Sequence, residues 1–264
     1  MGTTLYYFSA TGNCLDVARD IQKSLGNTEI AFIPPLVRQA SLKPVTEKVG
    51  FVFPVYDFGI PLVLRDFLNK LDITDVEYIF AVATCNYMPG LTLEAADEIL
   101  KGKGARLNSG FIIRMPGNYI PIYGANSQRT QDKKFRRKAV RIGIIANYVR
   151  SNTDRGLEKS NLIIDRLLAP QMQKNIYKFY SMDRNFRADE KCSGCGLCQR
   201  ICAFDNISIE EGKPQWRHRC QQCLACIHVC PKSSIQFGKR SGNKKRYRNP
   251  KVTVNDLISQ KEND

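Results

Sequence analysis

Eight of the ten cysteines crowd into residues 192–230 in two runs of one spacing. The first run is Cys192-x2-Cys195-x2-Cys198-x3-Cys202; the second is Cys220-x2-Cys223-x2-Cys226-x3-Cys230, followed by Pro231. Every cysteine of the first run has its counterpart 28 residues on (192 to 220, 202 to 230), and Ile207 and Ile209 return as Ile235 and Phe237. The segment is an internal duplication with a short strand after each run. Soft thiolates suit iron–sulfur clusters and zinc. Three cysteines on one tight loop can cap three corners of a cubane, while the fourth starts a helical turn pointing away and ligates the other cluster. The spacing therefore assigns Cys192, Cys195, Cys198 and Cys230 to one 4Fe–4S cluster, and Cys220, Cys223, Cys226 and Cys202 to a second. Zinc ribbons present separated cysteine pairs, not triplets with a trailing cysteine, and zinc is the lesser alternative. Ala203 stands where a proline would stiffen the first run's last turn. Trp216 and His218 fall between the runs, and His218 reads as a partly exposed hairpin residue, since eight thiolates already fill both ligand sets.

A second chemistry is written into three turns of the N-terminal half. Ser9-Ala10-Thr11-Gly12-Asn13-Cys14 joins an expected strand to an expected helix. Such a turn offers backbone N–H groups and the positive end of a helix dipole to a phosphate. No lysine follows and the glycines are few, so it is neither a Walker loop nor a GxGxxG fingerprint. Pro54-Val55-Tyr56-Asp57-Phe58-Gly59 follows a third strand, and Thr84-Cys85-Asn86-Tyr87 with Gly90 follows a fourth. Tyr56 and Tyr87 are candidates to stack on a flat ring system. Cys85 alone reads as a small buried apolar group.

The elements that must position these turns alternate. Strands are expected at Thr4–Phe8, Glu29–Ile33, Lys48–Val55, Tyr78–Thr84 and Arg106–Met115, and helices at Asn13–Leu25, Pro61–Leu71 and Leu91–Lys101. This alternation predicts an α/β fold with a doubly wound, five-stranded parallel sheet, whose ligands bind beyond the carboxyl ends of the strands. Gly117–Ser127 reads as a loop over that edge, and Gln131–Val149 and Leu157–Tyr180 as two helices packed on a core.

The cysteine segment resembles bacterial-type two-cluster ferredoxins over Asp189 to Gly238, and the turn at Ser9 resembles the flavodoxin phosphate loop. Cys14 departs from that pattern, standing where a hydroxyl is usual. With FPVYDFGIP at 53–61, MPGNY at 115–119 and RYRNPKVTVNDL at 246–257, nearly the whole chain resembles flavodoxin–ferredoxin fusion proteins. The resemblance implies a flavodoxin-like domain over 1–128, a helical connector over 129–187, a small α+β ferredoxin domain over 188–238 and a basic extension over 239–264. It implies FMN as a cofactor beside the two clusters, and an electron-transfer flavoprotein. The alternative is an FMN-dependent oxidoreductase that reduces a bound small molecule.

The net charge of +15 places basic runs at Lys133–Arg141 and Lys239–Arg248. A docking surface for an acidic carrier such as a ferredoxin or flavodoxin is expected there, because complementary charge raises encounter rate. No nucleic-acid recognition motif accompanies the charge, so that class is set aside. No apolar run is long enough to span a bilayer and no cleaved leader pattern precedes the first strand, so a cytoplasmic protein is expected.

Overall fold

Runs of Val, Ile, Phe and Ala build the two inner strands, β3 (Lys48–Pro54) and β4 (Tyr78–Cys85), in the computed structural model of the chain. It describes residues 2–239 and 241–261; Met1, Arg240 and residues 262–264, on which the expected first domain, the second basic run and the tail partly fall, lie outside the described residues. Every residue of β4 is buried, as a strand covered on both faces requires. With β1 (Thr3–Tyr7), β2 (Thr28–Phe32), β5 (Ser109–Arg114) and β6 (Gly156–Leu157) they form one sheet of order β2-β1-β3-β4-β5-β6. All its pairings are parallel. The sheet is six-stranded, which corrects the expected five. The sixth strand is two residues long because Glu158 follows it. The Glu158 carboxylate accepts the next donor of β5, Ile112 N–H, at 2.8 Å and is itself held by Arg141 at 2.6 Å.

The helices are α1 (Asn13–Leu25), α2 (Ile33–Leu36), α3 (Leu62–Lys70), α4 (Thr92–Lys101), α5 (Gln128–Arg150) and α6 (Ile163–Lys174). The order 2-1-3-4-5 of the first five strands is the flavodoxin-like arrangement, with its switch point between β1 and β3. Gly50 lies at the centre of β3, paired with Leu5 on one side and Phe80 on the other. A Cβ there would come within 2.5 Å of Leu5 Cδ1, so no larger residue fits between those side chains. Helix α5 turns Lys134, Lys138, Ile142, Ile145 and Val149 inward at helical spacing. Lys138 Nζ lies 2.7 Å from both Asp16 and Asp20, one turn apart on α1. Lys48 Nζ donates to Val149 O at 2.9 Å, a cation on the negative end of α5.

The single helix expected over Leu157–Tyr180 is corrected. Leu157 belongs to β6, and Ser160 Oγ accepts from Leu162 N at 3.2 Å and donates to Asp165, which delays the helix to Ile163. After Lys174 the chain tightens into a 3₁₀ turn at Ile176–Lys178 before α7 (Phe179–Met182).

The chain divides into two units. The first holds the sheet and α1 to α6: residues 1–9, 14–115 and 128–176. The second comprises residues 10–13, 116–127 and 177–264. Of the connector expected over 129–187, residues 129–176 group with the sheet and 177–187 with the cysteine runs, as does the basic extension. The second unit adds β7 (Phe186–Ala188), α8 (Leu197–Ile201), β8 (Ile207–Glu210), β9 (Lys213–Trp216), α9 (Ala225–Val229), β10 (Ile235–Phe237) and α10 (Val254–Ser259). β7 pairs antiparallel with β10, and β8 with β9. Ile120, Phe186, Ile207, Leu224, Ile227 and Ile235 close a core around Cys202 and Cys226, and Phe186 stacks on Trp216 at 5.4 Å. Ile120 is wholly buried there, so its loop contributes to this core. No described helix is long and apolar enough to cross a membrane.

Candidate functional site

The duplication survives in the backbone. Helix α8 over 197–201 and helix α9 over 225–229 are offset by the sequence repeat, and so are three left-handed positions. Gly194 and Gln222, Gly196 and Leu224, and Asp205 and Ser233 have paired φ values of +66 and +53, +72 and +63, and +47 and +48. Left-handed residues curl each loop and start the helix before the third cysteine. Cys198 and Cys226 therefore sit in the first turn, and Cys202 and Cys230 cap the far ends. The helical turn was expected to start at the fourth cysteine; it ends there instead. The left-handed conformation is easy for glycine and strained for Gln222 and Leu224, a strain that persists only where the surroundings fix it.

The fourth cysteines cross over. Cys192, Cys195, Cys198 and Cys230 line one open hollow, walled by Ile209, Pro214 and Ile235. Cys202 lies within electrostatic reach of Cys220, Cys223 and Cys226, and raises the pKa of each. Burial is the larger cause and lifts Cys223 to about 12, with Cys220 and Cys226 also far up. Burial likewise takes Cys198 to about 11, with Cys195 and Cys192 adding to it. Backbone N–H groups already point at the sulfurs: Asn206 to Cys202 at 3.4 Å, Ser234 to Cys230 at 3.3 Å and Gln222 to Cys220 at 3.3 Å. At Cys230 burial pushes the thiol up, but the Ser234 hydroxyl and the N–H groups of Ile235, Ser234 and Lys232 outweigh it and leave the thiol below its ordinary value. Among the described residues no set of three or more His, Cys, Asp or Glu converges on one ion position.

The turn between β1 and α1 is held, from Ala10 to Asn13, by its own unit. Asn249 N donates to Thr11 O at 2.8 Å, Asn118 Nδ2 to Thr11 Oγ1 at 2.8 Å and Tyr247 Oη to Asn13 Oδ1 at 2.6 Å. Asn13 Nδ2 reaches Pro116 O at 3.0 Å. Gly12 has φ +95, and a Cβ there would meet Val252 Cβ at 2.8 Å. The side chains of Thr11 and Asn13 are thus taken up by the protein. The backbone N–H groups of Ala10, Thr11 and Gly12 meet no acceptor among the described residues, and three consecutive N–H groups fit a phosphate.

In the sheet unit, Phe8 and Ser9 lead out of β1, and Cys14 lies in the first turn of α1. Cys14 Sγ lies 3.1 Å from Thr84 Oγ1, and burial lifts the thiol to about 12. Tyr56, Asp57, Phe58 and Gly59, beyond Pro54 and Val55, form a two-residue turn with Tyr56 N and Gly59 N bonded to each other's carbonyls at 3.0 and 2.9 Å. Asp57 and Phe58 are both left-handed, at φ +44 and +63. Gln173 of α6 pins the turn by donating to Tyr56 O and Asp57 O at 2.9 and 3.0 Å, and Leu91 N donates to Phe58 O at 2.9 Å. Tyr56 meets Phe8 edge-on at 6.2 Å. After β4, Lys134 Nζ donates to Asn86 O at 2.9 Å, to Asn86 Oδ1 and to Met115 O at 3.0 Å, and lies 4.5 Å over the ring of Tyr87. Burial brings Lys134 down to about 8, against the opposing pull of Cys85. Arg114 donates to Cys85 Sγ at 2.9 Å. Burial raises the Cys85 thiol, with Arg114 pulling it back. Gly90 N donates to the buried Asp165 at 3.0 Å.

Sequence reasoning missed Gln173, Lys134 and Asp165, which act from α5 and α6 across long sequence separations. It also missed His228. That residue lies between Cys226 and Cys230 where the first run has the exposed Arg200, and this asymmetry of the repeat was the available signal. His228 is buried, and burial lowers its pKa to about 4. His218 makes a pair with the buried Asp183 at 2.7 Å, a structural hairpin contact.

No family model matches the chain. An uncharacterised protein of Methanocaldococcus jannaschii, MJ0749, is 32% identical over 72 residues, 27% of this chain. Those residues span 28% of that curated relative's length. Among solved structures, the chain is similar to a short-chain flavodoxin associated with a bacterial microcompartment, at 17% identity and TM-score 0.40, covering 58% of this chain and 99% of that one. It is similar to an azoreductase of Bacillus anthracis at 11% identity and TM-score 0.38, covering 56% and 99%. A flavo-diiron protein of Thermotoga maritima is 17% identical with TM-score 0.36, covering 57% of this chain and 35% of its own.

Proposed function

We propose that this chain is an electron-transfer flavoprotein in which two 4Fe–4S clusters exchange electrons with FMN. The crossed grouping of the cysteines carries the reading: Cys230 shares a hollow with Cys192, Cys195 and Cys198, while Cys202 interacts with the second triplet. Two triplets with exchanged fourth ligands are what a pair of cubanes needs. Bound clusters supply one-electron chemistry, and FMN the pairing of those electrons. The chain's own part is to bind, orient and shield. The N–H groups of Ala10, Thr11 and Gly12 would take the FMN phosphate. In the sheet unit, Tyr56 and Tyr87 are the candidates to stack on a flat ring. The left-handed Asp57 and Phe58 present backbone where a flavin edge is expected, a strained conformation of the kind that gathers at functional sites. The exposed basic residues of α5, Lys133, Arg136 and Arg137, suit an acidic electron-carrier protein.

Anaerobic reconstitution followed by metal, sulfide and flavin analysis tests the reading. About eight irons, matching acid-labile sulfide and one FMN per chain are expected. Two zinc ions without sulfide or flavin would end it.

A further inference from the structure

His228 stands at a junction. Its Nδ1 accepts the backbone N–H of Tyr247 at 3.0 Å, and its Nε2 lies 2.6 Å from Asn118 O. One nitrogen accepts, so the other carries the proton: this is a neutral imidazole with a hydrogen on Nε2. Each partner then reaches the turn before α1. Asn118 Nδ2 donates to Thr11 Oγ1 at 2.8 Å, and Tyr247 Oη donates to Asn13 Oδ1 at 2.6 Å. Two independent arms thus run from one ring to the two polar side chains flanking Gly12. The ring itself rides on α9, two residues from Cys226 and two from Cys230. Arg200, its counterpart in the first run, is exposed.

We propose that His228 is a positioning residue that ties the second cysteine run to the anion-binding turn, so that a loaded cluster on Cys226 and a phosphate on residues 10–12 favour each other. The inference rests on the proposed flavin site. Its physical content is linkage: when α9 is fixed by the metal–thiolate bond at Cys226, His228, Asn118 and Tyr247 hold Thr11 and Asn13 in place, and the N–H groups between them need no ordering on binding. Coupling is reciprocal, so FMN bound to the turn also steadies the cluster against loss. Because only the phosphate meets the turn, riboflavin is blind to the link.

The test compares FMN with riboflavin. Dissociation constants for both are measured on flavin-stripped, cluster-loaded full-length protein and on the same protein after chelation of its iron. In the wild type, chelation is expected to weaken FMN about ten-fold relative to riboflavin, the size of one or two lost hydrogen bonds. His228→Leu in the loaded state should show that weakened ratio already and should not respond to chelation. His228→Gln, which keeps one donor and one acceptor, should recover part of the ratio. Iron content reports whether each variant has folded around its clusters, and Tyr247→Phe, which removes only the hydroxyl on Asn13, provides a milder second probe with a smaller loss in the same direction. Wild-type FMN binding with a ratio unchanged in His228→Leu and Tyr247→Phe overturns the inference alone. A wild-type protein that binds neither flavin overturns the flavin site, and this inference with it.

Discussion

Tyr247 gives its hydroxyl hydrogen to Asn13 Oδ1 at 2.6 Å, joining two buried residues 234 positions apart. The segment from Lys244 to Val252 is therefore structural to the turn before α1. Lys244 Nζ donates to Ile120 O at 2.9 Å, Lys245 O accepts from Ala125 N at 3.0 Å and Asn249 N donates to Thr11 O at 2.8 Å. What the sequence shows as a basic tail is a strap whose backbone and amides do the holding.

The strap presses closest on the turn, through Val252 and Asn249, at Gly12. Its φ of +95 and the 2.8 Å that would separate a new Cβ from Val252 Cβ act together. Gly12→Ala is expected to destabilise the second unit by about 2 kcal/mol, read as a lower urea midpoint, with FMN affinity falling in parallel. Adding Val252→Ala removes the contact but not the left-handed strain, so it should restore only part. Equal midpoints for Gly12→Ala and wild type would show that the strap does not press on the turn.

Asp183 has its side chain wholly buried and accepts three hydrogen bonds, from Asn206 Nδ2 at 3.0 Å, His218 N at 2.8 Å and His218 Nδ1 at 2.7 Å. Asp183→Ala strands those donors in the wall beside Cys202 and should cost about 2–4 kcal/mol. Asp183→Asn keeps an acceptor and should cost less. Chemical denaturation of cluster-loaded protein gives the two values, and an alanine variant as stable as the wild type would mean that water replaces the carboxylate.

The parts legible from sequence were those with local cause. The apolar strands β3 and β4 and the helix that opens at Asn13 follow from composition and period. Strand β6 was not legible, because two residues held in place by Glu158 and Arg141 leave no pattern. Nor was the role of the loop around Ile120, whose Gly, Pro and Asn content says loop but not which core receives it. Gln173, which fixes Tyr56 and Asp57, is one of several polar residues on its helix, with Asp165, Arg166, Gln171 and Lys174, and only the folded chain shows its target.

Lys134 gives a pH signature. Burial brings its folded pKa from 10.5 down to about 8, so between those values the unfolded chain binds more protons than the folded one. Stability therefore rises with pH through that window, the penalty being in force below about 8 and relieved above 10.5. Thiols titrate there too; Cys85, which Lys134 itself pulls down, is removed by making both wild type and Lys134→Met in a Cys85→Ala background, and the remaining thiols cancel in the comparison. The difference in unfolding free energy, wild type minus Lys134→Met, should grow by on the order of 1 kcal/mol from pH 7.5 to 10.5, after allowance for solvent screening. A flat difference would mean that the carbonyls of Asn86 and Met115 fully replace water around the ammonium.

The crossed cysteines make the sharpest prediction, because double variants separate it from the uncrossed alternative. Cys192→Ser and Cys230→Ser each remove a ligand from one hollow, and each should leave about four irons and the same surviving reduced-cluster EPR signal. Combining them should lose nothing further, since both act on one cluster. Cys192→Ser with Cys202→Ser strikes both ligand sets and should leave no intact cluster, although both substitutions lie in the first run. If each run held its own cluster, the pattern would invert: the pair 192 and 202 would spare four irons and the pair 192 and 230 would lose all of them. Iron and sulfide analysis of the two double variants decides between the arrangements, and the EPR spectrum that survives in each single variant states which cluster it belonged to.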